Sequence, residues 1–323
     1  MMRRYRAFGQ YLKELYGERV YKVNVDAGFT CPNRDGTVGI GGCIYCNNDS
    51  FRPQSCRAVT PLGEQIELGI KYLKKRYRAN KFIVYFQPYT NTYAPVEKLR
   101  ELYYEALDEP SVVGLAIGTR PDCVDEEKLA LLEEIARDYF VLVEYGLQSI
   151  YDKTLQYINR GHDFQCFLGA VYATEGRGIH IGAHIIVGFP TETIDEMMAM
   201  AEVVSALPVG FLKIHQLQVV KDTIVEQYYK EEPFHTFQYD EYLDFVVRFI
   251  ERLSPDIVLQ RLFATAPDDI LIAPRWDRSR HEITGDIDRR FEKLDTYQGR
   301  LYKGGESQFL KEYIKRACLI KQG

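Results

Sequence analysis

The sequence predicts an α/β fold, a partial (β/α)6-type parallel barrel that carries a C-terminal extension. Three observations point there. Short β-type runs alternate with helical runs along most of the 323 residues, the pattern of βαβ units joined into a parallel sheet. Hydrophobic residues make up 46% and charged residues 27%, enough apolar material to bury one large core without disulfide staples. The segments that look chemical, rich in Cys, Gly, Gln and Arg, each fall just behind a strand, where parallel α/β folds build their sites.

The elements follow in order. Strands are expected over 20–25, 82–86, 112–117, 140–145, 180–187, 210–215 and 256–261, where Val, Ile, Phe and Tyr concentrate. Helices are expected between them, near 61–77, 95–108, 125–137, 163–176, 193–206 and 238–253. The run DEEKLALLEEIAR, from Asp125, has the clearest amphipathic spacing. Six or seven such units fit a partial or full barrel better than a small doubly wound sheet. Beyond residue 265 the alternation stops. Residues 1–264 are therefore read as a barrel core with an N-terminal cysteine loop, and 265–323 as an extension packed on it, with a helix near 281–294.

Charge narrows the partners. The net charge of −5 hides a split: residues 1–81 hold 15 Lys/Arg against 7 Asp/Glu, 82–260 hold 13 against 29, and 261–323 hold 13 against 10. Basic ends permit a polyanionic partner, although ordinary variation along solvated faces gives the same count. No uncharged apolar run is long enough to span a membrane. The start MMRRYRAFGQYLKELYG has no apolar signal region, so a cytoplasmic location is expected. An odd number of cysteines, seven, argues against a disulfide framework.

Cys31, Cys43 and Cys46 crowd into one loop with Gly36, Gly39, Gly41 and Gly42. Three thiolates can hold three irons of a [4Fe-4S] cluster and leave the fourth iron open to a ligand. The glycines let the backbone wrap closely. From spacing alone, a four-Cys zinc site using Cys56, a redox C-x-x-C and unligated thiols remain open. Cys56, Cys123, Cys166 and Cys318 are too scattered to suggest a second cluster.

Cys43-Ile44-Tyr45-Cys46 resembles the second half of the C-x3-C-x-aromatic-C pattern of the radical S-adenosylmethionine (SAM) superfamily. The first gap differs, with eleven residues between Cys31 and Cys43 in place of three. Long first gaps resemble the Elongator catalytic subunit and, more closely, the YtqA/YhcC-type branch. YFQPYTNTYAP from Tyr85, GTRPDC from Gly118, VEYGLQS from Val143, INRGH from Ile158, HIIVGFPTET from His184 and LKIHQLQVVKDT from Leu212 extend that resemblance to about Trp276.

The resemblance implies a [4Fe-4S] cluster on Cys31, Cys43 and Cys46, with SAM chelated at the open iron and cleaved to a hydrogen-abstracting 5′-deoxyadenosyl radical. It implies that Tyr45 lies by the adenine, that Gln87 stands where relatives hold the SAM amino group, and that Arg160 pairs with the SAM carboxylate. Glu144 and Gln148 suit ribose or amino-acid contacts. Ile186, Val187 and Gly188 resemble the segment that brackets adenine, and His215 could face the cofactor. Thr119, Arg120 and Asp122 should line the same mouth, while Gly118 replaces an acid common in relatives. The branch resembles the enzyme that processes carboxymethylaminomethyluridine to aminomethyluridine at the tRNA wobble position. That implies tRNA as a partner, served by basic runs such as Lys71, Lys74, Lys75, Arg76 and Arg78 with Tyr72 and Tyr77 interleaved. Arg3, Arg4 and Arg6, and Arg275, Arg278, Arg280, Arg289 and Arg290 toward the other end, would add to them. A low-potential electron donor such as flavodoxin or ferredoxin is also implied. A protein or small-molecule substrate, and a non-enzymatic iron–sulfur, SAM-binding or zinc-stabilised module, are the alternatives.

Overall fold

The computed structural model describes residues 3–47, 58–305 and 307–320, excepting the side chains of 317–320. Cys56 and the side chain of Cys318 lie outside the described residues.

Seven strands form one all-parallel sheet: β1 (Val20–Val25), β2 (Lys81–Phe86), β3 (Val112–Thr119), β4 (Phe140–Gln148), β5 (His180–Val187), β6 (Phe211–Gln216) and, after a short β7 (Val219–Val220), β8 (Val258–Arg261). Their order in the sheet is the order of the chain, with β7 leaving to pair antiparallel with β9 (Leu271–Ala273). The sheet curls far enough for its two outer strands to meet. Lys22 Nζ on β1 donates to Gln260 Oε1 on β8 at 2.6 Å. The expected partial barrel is therefore the fold found, and all seven expected strands are present. β4 runs three residues further than expected, to Gln148. It is buried throughout, as a central strand covered on both faces must be.

The helices α1 (Phe8–Tyr16), α2 (Leu62–Tyr77), α3 (Val96–Leu107), α4 (Glu126–Ala136), α5 (Asp152–Tyr157), α6 (Phe164–Thr174), α7 (Ile194–Ser205), α8 (Ile224–Glu231), α9 (Tyr239–Arg252), α10 (Arg280–Lys293) and α11 (Gln308–Ile320) complete the chain. Several start where their caps dictate. The Asp125 side chain accepts from Lys128 N ahead of α4, Asp163 from Cys166 N ahead of α6, and Thr193 with Glu196 forms a reciprocal box at α7. Leu129, Leu132 and Ile135 of α4 join the large core between sheet and helices.

Inside the barrel a separate apolar cluster gathers Phe8 and Leu12 of α1 with Ile83, Phe140, Leu142, Phe211 and Val258, near the amino ends of the strands. α1 thus plugs one end of the barrel and leaves the carboxyl ends open. The expected helix near 281–294 is α10. Its Ile283, Ile287 and Phe291 pack into the main core, and α10 lies against α9. No helix among the described residues is long and apolar enough to cross a membrane.

Candidate active site

The cysteine loop follows β1 and is pinned from several sides. Gln65 of α2 accepts from Asp26 N and donates back to Asp26 O, both at 2.9 Å. Within the loop Arg34 N donates to Cys31 O at 2.8 Å, Gly42 N to Asn33 O at 2.7 Å and Cys46 N to Cys43 O at 2.9 Å. Gly42 sits at φ 87°, where a side chain would also press on Arg34. Ile44 N donates to Ile158 O at 3.1 Å, which ties the loop to the segment behind α5.

Cys31, Cys43 and Cys46 all line one cavity of about 210 Å³ at the carboxyl ends of the strands. Positive and donor groups face the sulfurs. Arg160 Nη1 stands 3.5 Å from Cys43 Sγ, and Asn33 Nδ2 stands 3.7 Å from it. No three His, Cys, Asp or Glu groups among the described residues converge as ligands of a single metal ion. Three thiols spread around a cavity mouth suit a cluster, in which each ligand takes a different iron.

The same wall carries polar atoms that the protein leaves unpaired. Gln148 Oε1 and Arg160 Nε are buried without a hydrogen-bond partner, which is costly unless a ligand completes them. Gln148 also holds φ 70°, a left-handed backbone uncommon for its type. Arg160 is locked in place. Its Nη2 donates to Gly146 O at 2.7 Å, and its own carbonyl accepts from Arg120 Nη1 at 2.8 Å. A Cβ on Gly146 would lie 2.6 Å from Arg160 Nη2, so only glycine lets the guanidinium pass. Arg120 is fixed in turn by a two-pronged pair with Asp122, at 2.8 and 2.6 Å. These buried acceptors and donors fit a bound SAM and cluster.

The other expected residues distribute as follows. Tyr45, Gln87, Gly118, Thr119, Glu144, Ile186 and His215 line the cavity. The Tyr45 ring centroid lies 6.0 Å from that of Phe189. The Val187 side chain joins the core outside the barrel, while its carbonyl accepts from Leu217 N at 2.7 Å.

Below this rim lies a charged layer around Glu144 and His215, whose partners Lys22, Lys213, His184 and Arg261 the sequence reasoning missed. Glu144 receives Lys22 Nζ at 3.0 Å on one oxygen and Lys213 Nζ on the other. Lys213 also donates to Tyr85 Oη at 2.6 Å. The Glu144 carboxylate is 4% exposed. Although burial opposes its charge, the two lysines hold it ionised well below the usual carboxylate range. One carboxylate cannot compensate two ammoniums, and burial draws Lys213 down to about 7 and lowers Lys22 also. Nearby, His184 Nε2 and His215 Nδ1 are 2.9 Å apart, and Arg261 Nη1 lies 3.4 Å from His215 Nε2. Burial first, and Lys213 second, push His184 down to about 3, and His215 is lowered by burial and by His184, so both rings are neutral. The available signal was period two: Lys213 shares a strand face with His215, and Glu144 with Gly146 and Gln148.

Comparison with known proteins accords with this geometry. Residues 31–204 match the Radical SAM superfamily, and residues 209–293 match the Radical SAM C-terminal domain. The chain is 35% identical to YtqA of Bacillus subtilis over 306 residues, covering 95% of each. It is 25% identical over 146 residues to a tRNA uridine(34) acetyltransferase of Methanocaldococcus infernus, covering 44% of this chain and 27% of that one. The solved structure of the archaeal M. infernus Elp3, with its N-terminus deleted, superposes with a TM-score of 0.67 at 18% identity, covering 86% of this chain and 64% of that chain.

Proposed function

This chain belongs to the radical SAM superfamily, and from that premise we propose that it is a radical SAM enzyme of tRNA, which converts a wobble carboxymethylaminomethyluridine to aminomethyluridine. The observation that carries the reading is the single cavity lined together by Cys31, Cys43, Cys46 and the locked Arg160. The superfamily uses a [4Fe-4S] cluster and SAM, which together supply reductive cleavage of SAM and removal of a hydrogen atom from substrate.

The chain's own residues bind and orient. Cys31, Cys43 and Cys46 hold three irons. Arg160, already facing Cys43, offers its unpaired Nε edge to the SAM carboxylate. Gln148 accepts a donor of the bound ligand through Oε1. Gln87 takes the amino group, and Tyr45, Ile186 and His215 the region of the base; Glu144 stands on the ribose side with both oxygens on its lysines, and Val187, whose side chain faces the outer core, adds only backbone there. The buried strands behind the cavity exclude water.

Support for RNA comes from two directions. One distant relative bears the name of a tRNA uridine(34) acetyltransferase. On α2, Lys71, Lys74, Lys75 and Arg76 are exposed, as is Arg78 just past its end, with Tyr72 and Tyr77 exposed between them. Phosphate neutralisation and base stacking require such a face. A flavodoxin or ferredoxin would deliver the electron, and the compartment is the cytoplasm.

The deciding assay mixes reconstituted enzyme, SAM, reductant and tRNA bearing carboxymethylaminomethyluridine, then digests the RNA for mass analysis. Aminomethyluridine should appear. Unchanged nucleoside alongside continued 5′-deoxyadenosine release would refute the tRNA assignment and leave the enzyme class standing. Reversing charge at Lys74, Lys75 and Arg76 should weaken tRNA binding while SAM cleavage without substrate persists. Arg160→Ala should weaken SAM binding by about 1.5–3 kcal/mol, as read by equilibrium dialysis on cluster-loaded protein. An unaltered affinity would remove Arg160 from the SAM site.

A further inference from the structure

Resting on the wobble-uridine reading, we propose that Arg261 and Arg280 form a carboxylate-binding subsite in the cavity wall, which takes the terminal carboxylate of the side chain that the enzyme trims. Neither residue was singled out as part of the SAM site, and neither bonds to the cysteine loop.

Several arginines of this protein pair with carboxylates. Arg120 spends its charge on Asp122, Arg177 on Glu126 and Glu133, and Arg290 on Asp240 and Asp244. Arg261 and Arg280 have no such partner, and in this they resemble Arg160, whose side chain bonds to Gly146 O and faces Cys43. The half-buried Arg261 reaches only His215, a neutral ring, at 3.4 Å. Arg280 donates Nε to Thr265 Oγ1 at 2.6 Å. Neither forms an ion pair with a carboxylate among the described residues, and both line the cavity that holds the three cysteines.

The rest of the cavity cannot supply the missing charge. Glu144 is the sole Asp or Glu among its described lining residues, and Lys22 and Lys213 already share it. Two guanidiniums lining one cavity, one ammonium in excess and no free carboxylate make a positive pocket. Burial and the neighbouring Arg261 both disfavour the charged form of Arg280. An anion entering between the two would relieve that repulsion. Guanidinium geometry matches a planar carboxylate through paired N–H donors, and the proposed substrate side chain ends in one.

SAM also carries a carboxylate. Arg160, beside Cys43, is placed for that one, whereas Arg261 ends β8 and Arg280 begins α10. The experiment separates the two sources.

Calorimetry on the cluster-loaded, SAM-bound protein would compare 5-carboxymethylaminomethyluridine, 5-aminomethyluridine, N-ethylglycine and inorganic phosphate. The carboxylate-bearing nucleoside should bind roughly tenfold or more tighter than the aminomethyl one, the size of one charge-assisted hydrogen bond. Arg261→Gln and Arg280→Gln should each erase most of that difference and leave SAM affinity unchanged. Arg280 is exposed in the first turn of α10, so its variant tests the point even if Arg261→Gln fails to fold. Equal binding of the two nucleosides, or discrimination that survives Arg280→Gln, overturns the subsite. So does a fall in SAM affinity in the variants, which would assign the arginines to SAM, or tighter arginine-dependent binding of phosphate than of N-ethylglycine. If N-ethylglycine binds in an arginine-dependent way while neither nucleoside binds, the subsite stands and the wobble-uridine reading falls.

Discussion

The two ends of the barrel interior are built from the same strands and the same inward-facing positions, yet they obey opposite rules. At the amino end Ile83, Phe140, Phe211 and Val258 close on Phe8 and Leu12 of α1. Further along the same strands stand Lys213, Glu144 and His215, with Gln87 just past β2. One end gains stability from apolar burial. The other holds ionised groups and unpaired polar atoms that a fold optimised for stability alone would avoid. The contrast teaches that, within the barrel interior, apolar burial is confined to the plug, and that the charged layer above it is carried for binding.

The most severe break comes from the charged layer. Glu144→Gln keeps the shape and leaves Lys22 and Lys213 without a counter-charge, which should destabilise by about 3–5 kcal/mol near pH 6. The lysines' folded pKa values lie below their unfolded ones, so the unfolded state binds more protons and stability rises with pH. Part of the loss should therefore return by pH 9, as urea titrations at the two pH values would show. A pH-independent loss would mean that Glu144 acts through packing and not charge.

Leu12→Ala tests the other end. Leu12 is 1% exposed, and its truncation should cost about 2–4 kcal/mol with little effect on SAM affinity once the variant is folded. A large loss of affinity would contradict the separation of the two ends.

A third variant sharpens the comparison with a buried carboxylate that has no cation. Glu192 bonds to the Ser149 hydroxyl, leaves Oε2 unpaired, and is pushed up by burial to about 7. Its folded pKa lies above the unfolded one, so stability is full at acid pH and falls as pH rises toward 7. Glu192→Gln should be near neutral at pH 4.5 and stabilising by up to about 3 kcal/mol at pH 8. A stabilisation that did not grow with pH would show Glu192 to be ionised in the fold. Smaller still is the effect of cysteines on the fold. Cys31→Ala, Cys43→Ala or Cys46→Ala should each abolish the cluster's iron and absorbance while shifting unfolding of the apoprotein by no more than about 1 kcal/mol, because the loop hangs on backbone bonds to Asn33, Ile158 and their neighbours.

How far the sequence foretold these features depends on range. Strand and helix alternation is local, and α2, α3, α4, α6, α7 and α9 lie within a residue or two of where the hydrophobic pattern puts them. α1, α5, α8 and α11 were not among the expected helices. The cysteine loop and Arg160 were legible through motifs. Lys22 and Lys213 were not. Each is a lone lysine in a strand, and such a residue reads as an edge position facing water. Only the curl of the sheet brings Lys22, 122 residues from Glu144, and Lys213, 69 residues from it, onto one carboxylate.

The closure of the barrel has a kinetic side as well. Arg6 N donates to Gln298 Oε1 across 292 residues of chain, and Leu259 N donates to Arg6 O. Such pairings yield nothing until the intervening chain has been ordered, so their loop-closure entropy falls late in assembly. During synthesis the segment around Arg6 emerges long before Leu259 and Gln298 and must wait for them. The seam between the chain's early and late segments should accordingly be the last part to gain protection from hydrogen exchange and the first to lose it.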